Sequence, residues 1–107
     1  MYKVVETEKA LADIEKLKAE KLYDKYLKIR NQLQENPTNP KGHAKKHFGK
    51  IKGKHKGDKD IWHIDINSKR RIFYSINKIS GELIIEGIEY SGIINIISAF
   101  EYDLRRK

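Results

Sequence analysis

The chain has 107 residues, 38% of them hydrophobic and 36% charged, with a formal net charge of +8 and no cysteine. Such a length makes one domain with a thin core, and the missing thiols exclude a disulfide framework, thiolate catalysis and cysteine-ligated zinc. No apolar run approaches the ~18 residues of a membrane span, and the leading MYKVVETEKA lacks the apolar core of an export signal, so a cytoplasmic protein without a membrane partner is expected.

Tyr2 to Val5 is a short apolar stretch and predicts a first strand. Thr7 then caps a helix, its hydroxyl accepting from an open N–H of the first turn, and Glu8 favours the positive end of the helix dipole. Apolar residues recur at helical spacing as Leu11, Ile14 and Leu17, then Leu22, Tyr26, Ile29 and Leu33. The stripe changes phase across residues 18–21, which predicts two antiparallel helices with a short turn there. Asn36-Pro37 ends the second helix, because a residue before proline avoids the α region.

Residues 37–59 hold both prolines, four glycines and a lysine tract, and predict a loop. After Asp60 the period becomes two. Trp62, Ile64 and Ile66 take one face of a strand, and Ile61, His63 and Asp65 take the other. Asn67-Ser68-Lys69 is a turn, and RRIFYSI is a strand with Arg71, Phe73 and Ser75 opposite Ile72, Tyr74 and Ile76. A hairpin loop is expected at Asn77 to Gly81, a third long strand in ELIIEGIEY, a tight turn at Ser91-Gly92 and a fourth strand in IINIISAFEYD. The architecture is therefore α+β in the order β-α-α-β-β-β-β. The helical hairpin is expected to sit on the Trp62/Ile64/Ile66 face of a twisted, mainly antiparallel sheet.

The charge is unevenly spread. Residues 1–36 carry eight basic and seven acidic side chains, whereas residues 37–107 carry fifteen and eight. One-sided basic fields point to nucleic acid, an anionic surface or an acidic partner. Between Lys41 and Lys59 stand eight lysines and three histidines with a single acid. Lys50, Lys52, Lys54 and Lys56 alternate, and on an extended backbone they would lie roughly 6–7 Å apart, near the phosphate spacing of a single strand. Such a row neutralises phosphates without reading sequence; without a ligand it is a solvated loop. His43, His47 and His55 lie among cations that oppose a metal and lower a histidine pKa. Arg70 and Arg71 either pair with Glu86, Glu89 or Asp65 across the sheet or clamp a phosphate. Tyr102 either enters the core or stacks on a base, and Asp103 is either a surface acid or a proton acceptor.

These features together resemble the RelE/ParE superfamily of type II toxin–antitoxin toxins: Asn36-Pro37 after two helices, a lysine- and glycine-rich loop, IWHIDINSKRRIFYSI, and a closing strand with an aromatic near its end. The nearest branch of that superfamily is the YoeB/Txe type. Its aromatic strand reads roughly G-x-W-S-R-R-I, then four residues to an arginine and L-V-Y. Trp62, Ile66, Arg71, Ile72, Phe73 and Tyr74 fall at those places without a gap. The resemblance runs from Val4 to Tyr102, with detail in residues 51–76.

The resemblance implies one toxin-like domain over residues 1–107, folded like a compact microbial RNase. It implies a cytoplasmic, ribosome-dependent endoribonuclease that cuts messenger RNA by 2′-hydroxyl attack, with no metal or other cofactor. A cognate antitoxin with an acidic binding segment would block the basic cleft; the oligomeric state is not implied. Arg71 matches the arginine that holds the scissile phosphate. The general-base glutamate has no counterpart before Ile51-Lys52, and the terminal His-Tyr pair falls at Asp103-Leu104, after Tyr102. Proton transfer then rests with His63, His47 or Asp103, with Tyr102 at the site. RNA holding rests with Lys46, Lys50, Lys52, Lys54, His55, Lys56 and Arg70. Two strand lysines of the RelE pattern fall at His63 and Asp65, and ELIIEGIEY looks like an added hairpin arm. The departures keep open a ParE-type gyrase inhibitor without nuclease activity, or a plain RNA-binding module.

Overall fold

The computed structural model describes residues 1–38, 45–47 and 60–102. β1 (Tyr2–Glu6) leads into α1 (Glu8–Ala19) and α2 (Tyr23–Glu35), followed by β2 (Lys45–His47), β3 (Asp60–Asp65), β4 (Arg71–Ile85) and β5 (Ile88–Ser98). One sheet holds all five strands in the order β1-β5-β4-β3-β2. β1 runs parallel to β5, and the other pairs are antiparallel. The α+β class and the element order expected from the pattern are those found.

Thr7 starts α1 as expected, accepting from the Ala10 N–H at 3.1 Å. Its hydroxyl also reaches the Ile96 and Ile97 carbonyls at 3.0 and 3.1 Å, which ties the helix start to β5. The inter-helix turn closes through Lys21, whose backbone is left-handed (φ 61°). Pro37 follows α2, and its carbonyl accepts the Tyr74 hydroxyl at 2.5 Å. The helices lie on the sheet face formed by Ile64, Ile66, Ile72, Tyr74, Ile76, Ile94 and Ile96. Val4, Ile14, Leu17, Tyr26, Ile29 and Leu33 fill the layer between. Trp62 packs at the edge of this core, so the helices sit where the period-two pattern put them.

The strand boundaries need correction. Asn77 to Gly81 is not a loop and Ser91-Gly92 is not a turn: both lie inside long strands. Gly81 (φ 125°) sits where the β4–β5 register shifts between Lys78 and Leu83, so it marks a bulge. Gly92 marks close backbone approach, since a Cβ there would lie 2.6 Å from the Asn77 carbonyl oxygen and 3.0 Å from the Tyr2 ring. The true turn is Glu86-Gly87, with φ of 52° and 80°, a pair of left-handed residues that matches the twist of a two-residue hairpin. Three expected strands are therefore two. β2 supplies the missing one, from a stretch expected to be loop. β5 also stops at Ser98 rather than running to Tyr102-Asp103, because the next backbone N–H, of Ala99, donates to Asp13 on α1 at 3.0 Å.

Candidate nucleic-acid interface

The sheet face turned away from the helices carries the chemistry. Alternation along β3 puts Ile61, His63 and Asp65 there, and alternation along β4 adds Arg71, Phe73 and Ser75. The register sets Asp65 against Arg71 and His63 against Phe73. Ile61, Phe73 and Ile97 form a small buried cluster on this side. The His63 ring meets Phe73 edge-on, with centroids 5.9 Å apart. His63 and Arg71 are thus diagonal cross-strand neighbours, close enough for long side chains to serve one ligand.

The two arginines are delivered to opposite faces by one turn. The Asn67 side-chain oxygen accepts from the N–H groups of Lys69 and Arg70, both at 2.8 Å, an Asx turn that sets the start of β4. Arg70 points to the helix side. Its Nε and Nη2 donate to the two carboxylate oxygens of Glu20 at 2.8 and 2.6 Å, and its guanidinium lies 3.6 Å from the Phe100 ring centroid. The hydrogen bond to Arg70 holds the Glu20 carboxyl below its usual range. Arg70 was expected to contact RNA beside Arg71; instead its fork closes the C-terminal end of α1 onto the sheet.

Arg71 points to the face away from the helices. Its Nε donates to Asp65 Oδ1 at 2.6 Å, and its guanidinium lies 3.7 Å from the Tyr102 ring centroid. The Arg71 side chain is 16% exposed and that of Asp65 46%, so the ion pair sits at the surface and is not sealed within the core. The Asp65 bond uses one of the guanidinium's five donors. Ring and carboxylate together fix the plane of a cation shaped to grip a phosphate.

Tyr102 reaches Arg71 because α1 holds the segment after β5. Asp13, 1% exposed, accepts the Ala99 N–H, and Lys9 bridges Asp13 and Glu101 at 3.3 and 3.0 Å. Burial lowers the Lys9 pKa, but the bonds and charges of Glu101 and Asp13 outweigh it, leaving it raised. Phe100 therefore falls on the helix side, beneath Arg70 and 5.2 Å from the Lys16 ammonium. Two residues on, Tyr102 falls on the face away from the helices, against Arg71.

The structure thus brings together Arg71, His63 and Tyr102, with Asp65 and Phe73, and turns Arg70 away. In β2, His47 pairs in register with Ile61 and Lys46 with Trp62, which brings this strand alongside the His63 strand. Lys50, Lys52, Lys54, His55, Lys56 and Asp103 lie outside the described residues, as does the lysine row as a whole. Asp13 was missed as a positioning residue. Its signal was legible, because an acid at position 13 interrupts the apolar stripe of Ala10, Ile14 and Leu17. Among the described residues no group of three or more His, Asp or Glu side chains is placed to hold a metal ion, and no helix is long and apolar enough to cross a membrane.

Comparison with family models and with curated proteins gives no match. Among solved structures, a YoeB/ParE toxin from Agrobacterium tumefaciens is similar, with a TM-score of 0.67 at 16% sequence identity, covering 94% of this chain and 99% of that one. At such identity the likeness is one of fold. It extends over nearly the whole of both chains, and the expected RelE/ParE-like architecture is therefore the one observed.

Proposed function

We propose that this chain is the toxin of a toxin–antitoxin pair and acts as a ribosome-dependent, metal-independent endoribonuclease on messenger RNA. The observation that carries this reading is the placement of Arg71. Its guanidinium is stacked on Tyr102, on the sheet face away from the helices, in a fold shared with a YoeB/ParE toxin. The basic excess of residues 37–107 supports a polyanionic substrate.

In the proposed reaction the 2′-oxygen attacks the adjacent phosphorus and the P–O5′ bond breaks, leaving a 2′,3′-cyclic phosphate and a free 5′-hydroxyl. The 2′-hydroxyl gives its proton to a base, and the leaving 5′-oxygen receives one from an acid. Arg71 stabilises the extra negative charge on the phosphoryl oxygens, a role for a preorganised cation. His63, diagonal to Arg71, is the proposed proton carrier, with His47 or Asp103 as its counterpart. Lys46, Lys50, Lys52, Lys54, His55 and Lys56 are proposed to hold the phosphates on either side of the cut. An antitoxin with an acidic segment would bind the same cations.

The test is cutting of message on ribosomes, in chelator, by wild type and by Arg71→Ala. Loss of such a charge-stabilising donor costs about 10²- to 10³-fold in rate. A folded Arg71→Ala protein that cuts at the wild-type rate overturns the assignment. One observation favours a second reading, contact inhibition of DNA gyrase in the ParE manner: Asp65 already balances the charge of Arg71. Inhibited supercoiling without RNA cleavage would decide for it.

A further inference from the structure

The Asp65–Arg71 pair sits awkwardly with phosphate binding. A carboxylate 2.6 Å from the key guanidinium lowers the local positive charge and repels the incoming anion. If affinity alone mattered, a neutral partner would serve better. The geometry points to a different benefit. Asp65 bonds at Nε, at the stem end of the guanidinium, and Tyr102 covers one of its faces. The Nη1–Nη2 edge is the fork opposite the stem. Holding the plane from Nε and from one face aims that fork in one direction, and His63 flanks it diagonally across the strands.

We infer that Asp65 is a positioning residue which gives up RNA affinity in exchange for a fixed Arg71 fork. Resting on the nuclease reading above, the inference deepens it: the site accepts one phosphate end-on between the Nη atoms, with the Asp65 carboxylate in place throughout. The partly exposed carboxylate also disfavours a second phosphate at the Nε side. The site therefore selects the single bridging phosphate of an RNA strand over ligands that bring adjoining phosphates, such as a 5′-triphosphate end.

Asp65→Asn separates the two effects. Loss of the charge should tighten RNA binding about five- to tenfold and steepen the slope of log affinity against log salt by about 0.7, the single-strand value for one cation. Loosening Arg71 should lower kcat on ribosome-bound message by roughly ten- to a hundredfold, the cost of misplacing a catalytic group by about an ångström. KM and kcat thus both fall, whereas damage to the fold would not tighten binding. Asp65→Ala should repeat the gain in affinity with a larger loss of kcat, and Asp65→Glu should return affinity to wild type and recover part of kcat. Cutting by wild type together with an unchanged kcat, or with unchanged or weaker RNA binding, in Asp65→Asn overturns this role alone. No cutting by wild type overturns the nuclease reading, and this role with it.

Discussion

Asp13 links the helical layer to the candidate site, and its replacement gives a sharp stability test. The side chain is 1% exposed and accepts the Ala99 N–H at 3.0 Å. Lys9 lies 3.3 Å from it, while Lys16, at 3.9 Å and 56% exposed, contributes little. Asp13→Ala removes a hydrogen bond to a charged group, worth about 1.5–3 kcal/mol, and strands the Ala99 N–H. Lys9 keeps Glu101 at 3.0 Å, so the total should stay near 3 kcal/mol. For a domain of this size each kcal/mol moves the Tm by roughly 4–8 °C, which gives a fall of about 12–24 °C. Asp13→Asn keeps an oxygen for Ala99 and should cost only about 1 kcal/mol. Urea melts followed by circular dichroism should show both changes in midpoint at constant slope. An alanine variant within about 0.5 kcal/mol of wild type, or an asparagine variant as damaged as the alanine one, would refute the argument. If the proposed nuclease activity holds, Asp13→Ala should also cut message more slowly under folding conditions, because the segment bearing Tyr102 loses its anchor.

Gly92→Ala should cost about 1–3 kcal/mol in a denaturant melt, since a Cβ only 2.6 Å from the Asn77 carbonyl oxygen forces backbone apart. Glu86→Asn should stabilise by about 0.5 kcal/mol, because asparagine tolerates the left-handed first position of the hairpin turn better than glutamate. Tyr74→Phe tests a linkage. Burial raises the Tyr74 pKa above its ordinary 10.0, so the native state holds that proton more tightly than the unfolded chain. The resulting stability is complete below pH 10 and is lost as pH rises above it, by about 1.4 kcal/mol per pH unit. Tyr74→Phe should be less stable than wild type at pH 9, through loss of the bond to Pro37, and the gap should close or reverse by pH 11. A gap unchanged between the two pH values would count against it.

The interior of the fold was legible because burial imposes a period. The helices followed from the stripe through Ile14, Leu17, Tyr26, Ile29 and Leu33, and the face of β3 that seats them followed from Trp62, Ile64 and Ile66. The ends of strands were less legible, because glycine has several uses. Gly81 and Gly92 read as turns, yet one fills a bulge and the other a close approach. Gly87, inside an apparently continuous ELIIEGIEY, makes the turn. The parallel seat of β1 against β5 has no local signal at all, since its partner lies some ninety residues away.

The family resemblance singled out Arg71, and by itself the sequence determined the class of fold, the buried faces and the basic excess of its later part. Periodicity and composition suffice for these, because each depends on near neighbours in the chain. Only the tertiary structure decided which arginine turns away from the helices, that Glu20 occupies Arg70, and that Asp65 and Tyr102 orient Arg71. Those contacts join residues up to fifty positions apart through strand register and a buried carboxylate on α1, and register between distant segments is written in no local pattern.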